Sequence, residues 1–306
     1  MKVLVTGGAG FIGSHVVDAL IENGHGVAVV DNLSTGKREY VNSQASFHQV
    51  DIRSPELSDV LQLERPDLIS HHAAHVDVRR SMTDPLYDAD VNVAGSLNLL
   101  ECARKQGTNR FVYASTGGAV YGEPVYLPCD EDHPLNPICP YGVSKLTVER
   151  YISFYAHAYG LQYTILRYPN VYGPRQDPFG EGGVVAIFSR QVLQGGQVVI
   201  NGSGDQERDF VYVADIVRAN LLAQDSLQGQ TYNLGAGVGT SINELFTIMR
   251  RVAGYSDKPI HGPPKAGETF RIYLDAQKAR VELGWQPEVD LNEGLGRTIQ
   301  SHRSPD

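Results

Sequence analysis

Three glycines, Gly7, Gly10 and Gly13, follow directly on the apolar run Val3-Leu4-Val5 and open an amphipathic stretch over residues 11–23. A short β-branched run ended by glycine and continued at helical period reads as a buried strand turning tightly into a helix. In that setting Gly7 permits the turn, Gly10 lets a pyrophosphate approach the backbone, and Gly13 lets helix and strand pack closely. Phe11 and Ile12 begin the helix, whose unpaired N–H groups and positive dipole end would face the phosphates. The feature predicts a dinucleotide site.

The rhythm continues beyond the turn. Residues 27–31, 47–51, 68–71, 111–115 and 163–168 read as further strands, and residues 55–64, 85–106 and 141–159 as helices. Strand and helix in alternation predict an α/β fold, a Rossmann-type doubly wound parallel sheet. After about Asn170 the pattern changes to Gly, Pro and Asp clusters, a helix over 184–193, a turn at 202–205, a helix over 215–224 and a strand over 231–234. A helix over 241–252 carries Ser241 as its N-cap, with Glu244 completing a capping box. A chain of 306 residues suits two unequal domains. The expected division is a dinucleotide-binding domain at 1–170 plus about 209–235, and a smaller C-terminal α/β substrate domain at 171–208 and 236–306.

No apolar run approaches the ~18–20 residues that span a bilayer, and the start breaks at glycine too early for a signal peptide. Cys102, Cys129 and Cys139 are too few for a disulfide framework and suit a reducing cytosol, so a cytoplasmic location is expected. A net charge of -9 argues against nucleic acid as a partner. It leaves room for one small anionic substrate held by a few local cations.

Asp31, at the end of the second strand, can accept both hydroxyls of an adenosine ribose and would repel a 2′-phosphate, which favours NAD. Lys37 and Arg38 keep NADP open as an alternative. Asp51-Ile52 either flank the adenine or merely end a strand. Tyr141 and Lys145 stand four apart on one helix face. An ammonium there, with an oxidised nicotinamide, would lower the phenol's pKa from its usual ~10 and make it a base. His71, His72 and His75 invite a metal reading, but the spacing lacks a carboxylate or thiol partner other than Asp77, so lining of the cofactor pocket is expected and no metal.

These motifs together resemble the extended short-chain dehydrogenase/reductase family. The resemblance runs over nearly the whole chain: residues 6–15, Asp31-Asn32-Leu33-Ser34-Thr35-Gly36, Asn92-Val93-Ala94-Gly95-Ser96, residues 140–145, residues 166–173, Arg208-Asp209-Phe210-Val211 and Leu283-Gly284-Trp285. Their combination is similar to the branch of NAD-dependent enzymes that invert carbon four of a UDP-hexose through a transient 4-keto sugar. N-acetylhexosamine epimerases, dehydratases and decarboxylases of the same family are the alternatives. The resemblance implies cofactor contacts at Asn32, Ser34, Gly36, His72, Ala73, Ala74, His75, Asn92, Ser115 and Tyr168. It implies UDP-sugar contacts at Asn170, Gly183, Val184, Arg208, Lys265 and Glu268, together with Thr116 and Tyr141. A guanidinium fork at Arg208 suits a diphosphate, although Arg208 and Asp209 could instead form a local ion pair. A homodimer through residues 85–106 and 141–159 is also implied.

The pattern departs from the family in three places. The usual Ser or Thr three residues before Val120-Tyr121-Gly122 is Gly117, so Thr116 is expected to supply that hydroxyl, unless it faces the core. Gly118 and Ala119 stand where dehydratases carry an Asp-Glu pair, and neither can move a proton. The usual Arg-x-Gly-Asp becomes Lys265-Ala266-Gly267-Glu268, which keeps a charge and loses a fork. Ile272 matches the position thought to limit the sugar's second substituent and leaves room for an N-acetyl group.

Overall fold

The protein is described by a computed structural model covering residues 1–179, 183–264 and 269–303. A seven-stranded sheet runs in the order Gln230–Asn233, Gln162–Tyr168, Arg110–Thr116, Leu68–His71, Lys2–Thr6, Gly26–Val30, Ser46–His48. The ladders from Arg110–Thr116 across to Ser46–His48 are all parallel. The order reverses at Lys2–Thr6, so the topological switch point of the doubly wound fold lies at the carboxyl end of the first strand. Val3, Leu4 and Val5 are fully buried there. Strands covered on both faces have to be apolar at successive positions, which explains the continuous run.

Tertiary contacts divide the chain into two compact units. The first comprises residues 1–116, 139–167 and 217–232. Its core joins Leu4, Ile69, Leu99 and Phe111 to Val148, Ile152 and Ile165. The third strand ends at His48, earlier than the sequence suggests, because the backbone turns at Val50 and again at Ser54. Asp51 therefore sits in a loop rather than at a strand end. An additional short helix, Val78–Thr83, is capped by Asp77, which accepts from Arg80 N at 2.7 Å. The expected helix over 85–106 is interrupted: Pro85–Ala89 and Gly95–Gln106 are joined by a π-helical turn, Asp90–Ala94. Such wide turns are rare and gather at functional sites.

The second unit comprises residues 117–138, 168–216 and 233–306. Residues 117–138 were expected in the first domain, and 209–216 with it. They fall here because Cys129 bridges to Leu274, the Tyr121 hydroxyl donates to Asn233 at 2.7 Å, and Gly122 O accepts from Thr269. Among the described residues three small sheets occupy this unit, one pairing Asn170–Tyr172 with Phe210–Tyr212 and another placing Glu207–Arg208 between Thr240–Ser241 and Arg271–Ile272. Helices Val184–Leu193, Ile242–Ala253 and Leu291–Arg303 pack on one another. Ser241 caps its helix as expected, accepting from Glu244 N at 3.1 Å. The fully buried Trp285 donates to Asp215 O, and the Asp215 carboxylate accepts from the amides of Glu288 and Val289. Among the described residues no helix is long and apolar enough to cross a membrane.

Candidate active site

The glycine turn has the shape a dinucleotide needs. Gly7 has φ +72° and donates to Val30 O at 2.8 Å. A Cβ there would lie 2.6 Å from Ala73 N, and a Cβ on Gly13 would meet Gly7 O. The helix Phe11–Glu22 begins at Gly10 with no side-chain cap and no acid in its first turn. Its leading N–H groups have no intrahelical acceptor. An uncapped helix start behind a Cβ-free turn fits a pyrophosphate.

Asp31 lies just past Gly26–Val30 and is 8% exposed. Its two oxygens accept from Ala9 N (3.0 Å) and Leu33 N (2.8 Å), which fixes the carboxylate and leaves lone pairs for ribose hydroxyls. Burial raises its pKa against the opposing pull of those amides. Asn32 donates to Asp51, and its own oxygen accepts from Ser34 N. Asp51 is gripped by Arg53 through Nε (2.9 Å) and Nη2 (2.7 Å), which holds its carboxyl well below the usual range. Ile52 is buried, and Gly36 packs beside Asp31. Arg38 lies over the Phe47 ring, and Lys37 stands 3.9 Å from Glu39.

The histidine run works through hydrogen bonds. Ser96 Oγ donates to Asn92 O, so it accepts from His71 Nε2–H, and Thr6 Oγ1 donates to Nδ1. Burial keeps this ring neutral, and His72, beside Ser70 Oγ, is pushed down to about 3. Asn92 is one of the residues that the resemblance assigns to the cofactor. It is 2% exposed and its amide clasps the backbone of His75, accepting from N (2.7 Å) and donating to O (2.9 Å). It shapes the 72–75 loop, with Ala73 and Ala74, from behind. Asp88, absent from the sequence reading, is 1% exposed and accepts from Asn92, Ser144 and the His75 ring.

Helix Pro140–Tyr159 brings Tyr141 and Lys145 to the end of strand Arg110–Thr116. Lys145 Nζ donates to Ala114 O at 2.7 Å, and the Thr116 hydroxyl bonds to the Tyr141 phenol. A Cβ on Gly117 would lie 2.4 Å from the Leu274 side chain, which would have to shift to admit one. The expected lowering of the Tyr141 pKa is reversed in the chain alone. Burial pushes the phenol up, Cys139 and Asp88 add to this, and only the Thr116 bond opposes it. Ser115 Oγ is taken by Glu149, and Glu149 by Arg167; neither partner was singled out in the sequence.

In the second unit Asn170 N donates to Asp209 O, and Gly183 caps helix Val184–Leu193. Arg208 Nη1 donates to Glu207 O and Phe270 O. The alternative in which Asp209 pairs with Arg208 fails, because the Asp209 carboxylate accepts from the amides of Ala236, Gly237 and Leu274. Tyr168 is buried at the end of its strand, and Ile272 is buried opposite Arg208. Lys265 and Glu268 lie outside the described residues.

The profile of the NAD dependent epimerase/dehydratase family matches residues 3–235. The chain is 44% identical to the UDP-glucose 4-epimerase of Mycolicibacterium smegmatis over 99% of each chain. Among solved structures it is similar to the UDP-glucose 4-epimerase of Thermotoga maritima with UDP-glucose, at 50% identity and a TM-score of 0.98 over 99% of each chain. It is likewise similar to that of Thermus thermophilus in complex with NAD, at 44% identity and a TM-score of 0.95 over 99% of each chain.

Proposed function

The chain belongs to the NAD-dependent epimerase/dehydratase family, and from that premise we propose that it is an isomerase interconverting UDP-glucose and UDP-galactose at carbon four, with NAD as cofactor. The observation that carries the reading is the Thr116–Tyr141 hydrogen bond beside a buried Lys145, next to two positions, Gly118 and Ala119, that cannot move a proton. Dehydration and decarboxylation need an acid or base at those positions. Inversion does not.

The glycine turn at residues 7–13 and the first helix would hold the pyrophosphate of NAD, and Asp31 its adenosine ribose. When bound, NAD supplies a two-electron oxidant and reductant for the sugar carbon. Tyr141 takes the proton of the 4-hydroxyl and later returns it to the same oxygen, after the keto sugar has turned over to present its other face. Thr116 donates to the phenolate, and the Lys145 ammonium stabilises it electrostatically. In the second unit, Asn170, Gly183, Val184 and Arg208, with Lys265 and Glu268, are the residues proposed to hold the UDP moiety while the keto sugar turns over. The division of labour between a cofactor unit and a sugar unit is part of this proposal.

Incubation with UDP-galactose and, separately, UDP-N-acetylgalactosamine, followed by NMR of the products, tests it. Appearance of UDP-glucose is expected. An eliminated or decarboxylated sugar, or unchanged substrate, would overturn it, and turnover of the N-acetyl sugar alone would favour the alternative that Ile272 raises. Thr116→Val, which keeps the shape and removes the hydroxyl, is expected to lower kcat about a hundredfold. Wild-type initial rates in that variant would dismiss Thr116.

Leu86 (83% exposed), Val143 (50%), Phe154 (52%) and Tyr159 (52%) are exposed apolar side chains on the helices that the resemblance assigns to a homodimer. Sedimentation equilibrium is expected to give twice the 33.5 kDa chain mass; a monomer at micromolar concentration would contradict it. Three free, buried cysteines are in keeping with a cytoplasmic enzyme of galactose metabolism. Recovery from a secreted fraction would contradict that location.

A further inference from the structure

The last three residues of strand Arg110–Thr116 are each fastened to successive turns of one helix. Ala114 O accepts from Lys145, Ser115 Oγ donates to Glu149 at 2.5 Å, and Thr116 bonds to Tyr141. Tyr141, Lys145 and Glu149 are spaced i, i+4, i+8, which places them along one side of helix Pro140–Tyr159. Glu149 is 5% exposed. Arg167, 4% exposed on the neighbouring strand Gln162–Tyr168, grips it with Nε at 3.0 Å and Nη2 at 2.7 Å. Burying such a pair is costly, and apolar replacements of similar volume are often as stable or more so. Stability alone is therefore a poor account of why charges stand here.

We propose that Glu149, oriented by Arg167, is a positioning residue for the reaction proposed above: it fixes Ser115, hence the height at which Thr116 meets Tyr141, and it sets an anion one turn beneath the Lys145 ammonium. The groups facing that ammonium are few. Tyr141 and Glu149 lie on its own helix, Tyr113 on the adjacent strand with its ring 4.7 Å away, Asp88 on helix Pro85–Ala89, and His71 and His72 at the end of strand Leu68–His71. Both histidines are held neutral by burial. Burial lowers the Lys145 pKa to about 8, and Glu149, then Asp88, oppose the fall. The ammonium is present below about pH 8 and lost above it, so turnover should decline on the alkaline side. Without Glu149 that decline should begin earlier.

Glu149→Gln/Arg167→Gln exchanges the charged pair for a neutral one and strands no guanidinium. In this variant, without added nucleotide, the Lys145 side chain observed by NMR of ε-13C-lysine should titrate about one pH unit lower. Its resonance is assigned by its loss in Lys145→Arg. Turnover of UDP-galactose should fall about 10–100-fold, with KM changed far less, as a misplaced catalytic hydroxyl demands. Ser115→Ala should reduce kcat and leave the lysine titration where it was. Glu149→Asp keeps the charge and shortens the reach, so it should spare the titration and lose turnover, which preserves the test if the double variant does not fold. An unmoved Lys145 titration in a folded double variant, or wild-type kcat in Glu149→Asp, would overturn the proposal. The titration needs no substrate, so its outcome stands apart from whether the enzyme epimerises UDP-sugars.

Discussion

Tyr141→Phe is expected to lower kcat for UDP-galactose by about a thousandfold, within the range attributed to positioned general bases. The substitution removes one oxygen from a residue whose phenol is held by Thr116. The loss to stability should be about 1 kcal/mol, the net worth of one hydrogen bond. KM should change little, because in the proposed reaction the phenol acts on the reacting hydroxyl and does not carry the nucleotide. Initial rates by NMR and a thermal melt of the same preparation separate the two effects. The chain by itself holds Tyr141 as a phenol, since burial, Cys139 and Asp88 all disfavour the charged form. As the proposed base, Tyr141 must therefore gain its basicity in the loaded enzyme, where Lys145 and Thr116 would have an anion to stabilise. A phenylalanine variant within tenfold of wild type would remove Tyr141 from the mechanism.

Gly7→Ala should be among the most damaging small substitutions in the first unit. Gly7 has φ +72°, a region that costs a side-chain-bearing residue about 1–2 kcal/mol. The added Cβ would also lie 2.6 Å from Ala73 N and 2.8 Å from His72 C, both backbone atoms that cannot swing aside. Gly24→Ala is a matched control, with φ +78° and nothing within 4 Å. The control should lose only the backbone cost, a Tm drop of roughly 2–8 °C. Gly7→Ala should lose at least twice as much and no longer retain NAD through gel filtration. Equal melting temperatures for the two variants would show that the turn is not tightly packed.

Much of the first unit was legible in the residues. Short β-branched runs located the strands, and Asp31 fell just past a strand end. Other features depend on partners distant in sequence. Asp88 sits in Leu86-Tyr87-Asp88-Ala89-Asp90, which reads as an ordinary polar helix until His75, Asn92 and Ser144 are seen to converge on it. Glu149 is passed over in the sequence although it stands four residues after Lys145, because its meaning needs Ser115 and Arg167. In the second unit the two-residue strands Glu207–Arg208 and Thr240–Ser241 are too short to carry a period. Helix Leu291–Arg303 was hidden by Gly294 and Gly296; the first is required because Tyr172 Oη fills the space a Cβ would take.

The wide turn at Asp90–Ala94 has a consequence for insertions and deletions. Upstream of it Asp88 faces a polar cluster, while downstream Leu99, Leu100 and Ala103 face the apolar core. Uniform winding gives a helix a single phase, about 100° per residue. Removing one residue would swing Asp88 away from its partners or turn the leucines out of the core. The number of residues between them is thus as constrained as their identity.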